Sequence, residues 1–223
     1  MKRILFACMA TAMIATACNN ETKNTDATKD SNSTVVEKDK PADAKDQSYT
    51  MPDSATMMKN WEAYATPSDV HKMMASWDGN WTSESTMWHA PGAPPQVSKG
   101  TTVNKMIMGG RYQESIHKSE MMGMPFEGRS TVAYDNAQKE FITTWVDNVG
   151  TGLMVMRGKW DDASKSMNLS GTCVDPSAGN GREMNVREVF RIVDDNNQVM
   201  EMYGPAPDGK EFKMMELKLT RKK

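Results

Sequence analysis

Residues 184–193 read MNVREVFRIV, followed by DDNN at 194–197 and QVMEM at 198–202. Met184, Val186, Phe190 and Ile192 share one parity of the first run, and Met200 and Met202 share one parity of the second. A two-residue apolar beat marks a strand with one buried face, and a polar turn between two such runs marks a hairpin. Glu188 falls on the apolar parity of its run, which makes it the most informative carboxylate of the chain.

The same beat extends from Gly79 to the end of the sequence. It predicts about ten strands, at 80–88, 99–108, 110–119, 126–134, 139–147, 152–160, 165–173, 183–193, 198–203 and 210–221. Gly109-Gly110, Asp135-Asn136, Asp161-Asp162, Asp175-Pro176-Ser177 and Pro207-Asp208-Gly209 supply turns between them. Consecutive strands with hairpin-length connections and no intervening helix predict a mainly β chain, an antiparallel meander. A meander this long removes its two unpaired edges by closing into a barrel, the alternative being a two-sheet sandwich. A barrel of eight to ten strands is either filled by side chains or leaves room for one small ligand.

Upstream of Gly79 the period changes. Met57, Met58, Trp61 and Tyr64 recur at helical spacing, Thr66-Pro67-Ser68-Asp69 interrupts, and Val70, Met73, Met74 and Trp77 form a second helical stripe. One or two short helices are expected over residues 51–78, before a barrel domain at 79–223.

The start of the chain has the order of a signal peptide. Lys2 and Arg3 precede an apolar or small stretch from Ile4 to Ala17, too short for a permanent span of roughly 20 residues. Ala15-Thr16-Ala17-Cys18 resembles the lipobox of bacterial lipoproteins, with Ala15 where leucine is usual. That resemblance implies removal of residues 1–17, acylation of Cys18 and attachment to a membrane of the cell envelope. Asn19 is not the aspartate associated with inner-membrane retention, so the outer membrane is the expected residence. Residues 19–48 lack aromatic side chains and are dominated by polar and charged ones, the composition of a disordered tether over 18–50.

Composition narrows the function classes. Without Lys2 and Arg3 the 27 basic side chains fall to 25 against 29 acidic ones, and no basic run appears, so nucleic acid is not an expected partner. Cys8 lies in the leader and Cys18 would carry lipid, leaving Cys173 without a disulfide partner. On an apolar strand parity Cys173 reads as a small buried hydrophobe. Three histidines, His71, His89 and His117, show no zinc spacing, and no hydrolase, P-loop or dinucleotide fingerprint occurs. No cofactor is expected.

Methionine stands out at 22 residues. Thioethers favour Cu(I), and Met121-Met122-Gly123-Met124 is the nearest approach to a copper run. Pairs two apart on strands, Met106 with Met108, Met154 with Met156, and Met200 with Met202, read instead as core or cavity lining. With Trp145 and Glu188 these six form the candidate ligand cavity. Glu188 needs a cation or a proton among apolar neighbours, with Arg157 or Arg111 as the candidate structural partner. Arg111, Gln113, Ser115 and His117 share a polar parity that faces either solvent or a polar cavity. His71 is expected to pack or hydrogen-bond beside Met74 and Trp77, and Asp147 to belong to a turn.

Two further resemblances bear on the fold. Gly79-Asn80-Trp81 at the first strand, with Arg221 near the end of the last, resembles the signature of the lipocalin-related, or calycin, barrels. It implies that Arg221 packs across Trp81 and staples the first strand to the last. Residues from about 55 to 223 resemble the bacterial family catalogued as domain of unknown function 1579. The matching segments are HKMMASWDGNW (71–81), Gly109-Gly110-Arg111-Tyr112, Phe126-Glu127-Gly128, Tyr134-Asp135-Asn136, Thr144-Trp145-Val146-Asp147 and Leu219-Thr220-Arg221-Lys222. This family implies no chemistry.

The expectation is therefore a lipid-anchored binding module for a small apolar or amphipathic molecule, which requires a cavity of at least about 300 Å³. The alternative is a structural or partner-binding envelope protein with a filled core, using a surface such as the loop at 89–95. An enzyme would require Glu188, His117 and an arginine to converge in one pocket.

Overall fold

The structure, a computed structural model, describes residues 50–223. The expected signal peptide, Cys18 and the tether as far as residue 49 lie outside the described residues. Two short helices, α1 (Ser54–Ala65) and α2 (Asp69–Ala75), precede ten strands. These are β1 (Gly79–Met87), β2 (Gln96–Ile107), β3 (Tyr112–Met121), β4 (Met124–Asp135), β5 (Glu140–Asp147), β6 (Met154–Asp161), β7 (Ser166–Val174), β8 (Glu183–Asp194), β9 (Asn197–Pro205) and β10 (Glu211–Arg221).

Each strand pairs antiparallel with the next, and β1 pairs with β10 from Trp81↔Arg221 to Met87↔Met215. The meander is thus a closed barrel, as the alternation predicts, and the sandwich is ruled out. Strand boundaries differ from the sequence reading by up to three residues, two of them for evident local reasons. β2 starts at Gln96 because Gln96, Val97 and Ser98 pair with Met87, Thr86 and Ser85. β3 starts at Tyr112 because Met108, Gly109 and Gly110 turn with φ of 49°, 69° and 80°, leaving Arg111 outside the ladder.

One end of the barrel is closed by α2. Ser68 caps the helix, its backbone N–H donating to His71 Nδ1 at 3.0 Å, and His71 and Met74 are buried. Met74 and Trp77 join Phe141, Met156, Met167, Leu169 and Val186 in the main core. A helix leaves its last carbonyls without internal donors, and here side chains of the wall supply them. Gln113 Nε2 donates to Met74 O at 2.8 Å, while Trp81 Nε1 and Asn104 Nδ2 both donate to Trp77 O at 3.2 Å. Arg221 donates to Ser76 O at 2.9 Å, to Asp78 O and to Asp195 O at 2.8 Å. Its guanidinium carbon stands 4.2 Å from the ring centroid of Trp81, which is fully buried.

α1 forms over the predicted helical spacing, and its apolar stripe is left open. None of its residues is buried, and Met58 and Trp61 are 69% and 68% exposed. Its C-terminal carbonyls are nevertheless tied to the closed end. Arg111 Nε donates to Ala65 O at 3.1 Å and Asn136 Nδ2 to Thr66 O at 2.8 Å.

Candidate functional site

Between Trp77 at the closed end and Met121, Phe126 and Val149 at the other lies a cavity of about 490 Å³. Its two walls differ in chemistry because the strands contribute different inward parities. On β1 the residues in phase with Trp81 are Ser83 and Ser85, and the register carries that inward direction round the barrel. Ser83 sits opposite Gly100, Thr102 opposite His117, and Asn104 opposite Ser115. The wall from β1 to β4 therefore presents Ser83, Ser85, Ser98, Ser115, Ser119 and Ser130, with Asn104, Gln113 and His117. The opposite wall presents Met154, Met167, Met200, Met202 and Met215, with Phe190, Leu217 and Leu219.

The polar parity of β3 thus faces inward. Gln113 and Ser115 are buried, while Tyr112 on the other parity is exposed. Serine is small and hydroxylated, so the polar wall recedes from the barrel axis and leaves the volume that larger side chains would fill. A signal for this existed in the sequence, since Ser83 and Ser85 follow Trp81 in phase. Apolar residues on the outer faces of β2 and β3, among them Val97, Val103 and Tyr112, obscured it.

Glu188 stands in the methionine wall, in phase with Val186 and Phe190, with Leu169 of β7 and Met202 of β9 as its cross-strand neighbours. Protein encloses it, and the surface it keeps faces the cavity. Burial pushes its carboxyl up to about 7. The structure corrects the expected ion pair. Arg157 pairs with Glu140 at 2.7 Å, and Arg111 donates to Ala65 O and Met108 O. Among the described residues no hydrogen bond or ion pair reaches the Glu188 side chain.

His117 lies on β3, five strands from β8 in either direction round the ten, hence on the facing wall. Its Nδ1 is 2.9 Å from Thr102 Oγ1, and its ring centroid is 5.3 Å from that of Trp145. Burial lowers its pKa from 6.5 to about 4, so the ring is neutral near pH 7. Glu188 and His117 therefore do not converge, and among the described residues no arginine lines the cavity. The acid–base constellation considered for an enzyme is not formed by these groups.

The mouth is aromatic. Trp145 stacks on Phe126 with centroids 6.4 Å apart, and its Nε1 donates to Asp147 Oδ2 at 2.8 Å. Asp147 Oδ1 accepts from the N–H groups of Val149 and Gly150, so this residue shapes the turn and orients the indole together. Gly128 makes room for the ring, because a Cβ there would stand 2.4 Å from Trp145 carbon atoms.

The other candidate residues divide. Trp145, Met154, Glu188, Met200 and Met202 line the cavity. Met156 is buried in the core cluster at 1% exposure, and Met106 packs against that cluster. Met108 is a correction, since β2 ends at Ile107 and Met108 occupies the following turn at 72% exposure. Cys173 is half-buried and packs against the core, where burial raises its thiol pKa. Met122 and Met124 sit exposed on the β3–β4 hairpin, and among the described residues no cluster of three or more His, Cys, Asp or Glu is arranged to hold a metal.

Residues 66–221 match the family model described as "Protein of unknown function (DUF1579)". No curated protein matches the sequence. The crystal structure of Rv2717c from M. tuberculosis aligns over 71% of this chain and 100% of its own, with a TM-score of 0.54 and 11% identity. A redesigned beta barrel aligns over 67% of this chain and 95% of its own, with a TM-score of 0.36 and 14% identity. At such identity the likeness to Rv2717c is one of fold alone.

Proposed function

The chain belongs to the DUF1579 family of proteins of unknown function, and since that membership brings no chemistry with it, we propose a function from the barrel itself. The protein is a lipid-anchored envelope protein, held through Cys18, that binds a small amphipathic molecule inside the barrel. One observation carries this reading: a cavity of about 490 Å³ whose methionine wall faces a hydroxyl and amide wall. Ligand sites occupy about 300–1,000 Å³ and combine apolar lining with a few placed polar groups. Burial of ligand surface against methionine supplies affinity at about 25 cal/mol per Å². The flexible thioethers adapt to the shape of the guest, while the serine wall gives hydrogen bonds to its polar side.

A second reading, a partner-binding envelope protein, is favoured by α1, where Met57, Met58, Trp61 and Tyr64 stand exposed on a helix whose hydrogen bonds to the barrel, among the described residues, lie at its C-terminal end. Native mass spectrometry of the full chain, extracted from the bacterial envelope in mild detergent, separates the two. The cavity reading predicts a small molecule released on unfolding, and acyl chains on Cys18 once residues 1–17 are gone. Bare, unacylated chain would contradict it, and a stoichiometric protein partner with an empty barrel would favour the second reading.

A further inference from the structure

Charge inside the cavity is one-sided. Lys99 and Lys118 border it only with their strands, since their ammonium groups are largely exposed and lie 3.8 Å from Glu84 and 3.4 Å from Glu127. The arginines flanking Glu188 are also committed outside, Arg187 to Glu211 at 2.8 Å and Arg191 to Glu201 at 3.6 Å. Among the described residues the ionisable side chains lining the interior reduce to Glu188, neutral His117 on the facing wall, and Asp147 at the rim. The in-phase neighbours of Glu188 on β8, Val186 and Phe190, and its cross-strand partners, Leu169 and Met202, carry no titratable group.

A second interior acceptor is also without a donor. Asn104 is 6% exposed, its Nδ2 is spent on Trp77 O, and its Oδ1 has no partner among the described residues. Aromatic rings complete the lining. Trp77 meets Phe190 at 5.5 Å between centroids at the floor, and Trp145 stacks on Phe126 at the mouth. Carboxylate, carbonyl and ring faces all present negative potential, and a cation over a ring face is attracted to it. An isolated carboxylate among apolar groups acquires either a proton or a cation.

We propose that the molecule held in the barrel is an organic cation, its ammonium group neutralising Glu188 and its apolar body lying along the methionine wall. This rests on the cavity-binding reading above and names the class of ligand. The guest supplies the counter-charge that the fold withholds, which explains why a carboxylate stands in this wall while every nearby arginine points away. Because burial has pushed the Glu188 carboxyl up to about 7, the site holds its charge only above neutrality.

The test uses the full chain and three probes of one chain length, octyltrimethylammonium, octan-1-ol and octanoate, titrated by calorimetry at pH 8 and pH 6. The trimethylammonium group does not titrate, so its pH dependence reports the protein. The expected result is a preference for octyltrimethylammonium over octan-1-ol of about tenfold or more at pH 8, weakening about tenfold at pH 6 as Glu188 takes up its proton. Glu188→Gln should erase both the preference and the pH dependence. Equal binding of cation and alcohol, a preference for octanoate, or a preference that survives Glu188→Gln would overturn the cation assignment while leaving the cavity reading standing. Binding of none of the three probes would overturn both. The pH dependence of the unsubstituted chain keeps the test decisive should the variant fold poorly.

Discussion

Glu188 and His117 titrate in opposite senses for one reason, that the interior disfavours charge. The carboxyl of Glu188 rises from 4.5 to about 7, so the folded state holds a proton the unfolded chain has lost. Its contribution to stability is complete below pH 4.5 and is lost as pH rises through 7, by up to about 3 kcal/mol. The imidazole of His117 falls from 6.5 to about 4, so its contribution is complete above pH 6.5 and is lost as pH falls. Between pH 4.5 and 6.5 the two slopes oppose one another. Thermal melts should therefore show Glu188→Gln gaining stability with rising pH across that window, and His117→Gln losing it. A common slope in both variants would contradict the account. At the mouth, Gly128→Ala should drive the Trp145 indole out of its seat and cost about 1–3 kcal/mol, with a shift in indole emission. Trp145→Ala in the same chain should restore much of that loss, since the penalty belongs to the contact. The inward position of Glu188 was legible from its parity in 184–193. The fate of its partner was not, because Arg157 is committed to Glu140 of the neighbouring strand and Arg111 to carbonyls of α1 and the β2–β3 turn, contacts that only the folded chain reveals.

The closed end depends on a short helix and a late arginine. Asn104, Trp81 and Arg221 supply donors to the carbonyls of Ser76, Trp77 and Asp78 just past α2, and Gln113 adds a second donor to Met74 O beside the Trp77 N–H. Arg221→Ala removes three hydrogen-bonded donors and the contact over Trp81, a loss of about 2–4 kcal/mol measured by denaturant unfolding. Arg221→Lys should recover only a small part, because an ammonium on a flexible stem does not reproduce a planar fork lying on the ring. Near-neutrality of either substitution would show that the last strand is held by its ladder alone. The strands themselves were legible as a two-residue beat with turn residues between, and α2 as a capped apolar stripe. α1 was legible as a helix too, but its exposure was not, for a physical reason. Its spacing of Met57, Met58, Trp61 and Tyr64 is helical, but spacing records a shared face and not whether anything covers it.

At the scale of the whole molecule, closure turns ten amphipathic strands into an interior of mixed character. The apolar parity could be read correctly on β8 and β9, where methionine, valine and phenylalanine alternate with charge. It could not be read on β2 and β3, where Val103, Tyr112 and Ile116 point outward and Asn104, Gln113 and Ser115 point inward. Direction there is inherited through the register from Trp81, a long-range property of the closed ring. The polar wall, and with it the amphipathic cavity, emerges only when the ends of the sheet meet. The 22 methionines make that cavity directly observable, as methyl resonances in NMR spectra of chain labelled with 13C at the methionine methyl group. During titration with octyltrimethylammonium or octan-1-ol, the account predicts saturable shifts of the Met154, Met167, Met200, Met202 and Met215 methyls, with exposed Met57, Met58, Met122 and Met124 unmoved. Shifts confined to the exposed methionines, or none at all, would contradict it.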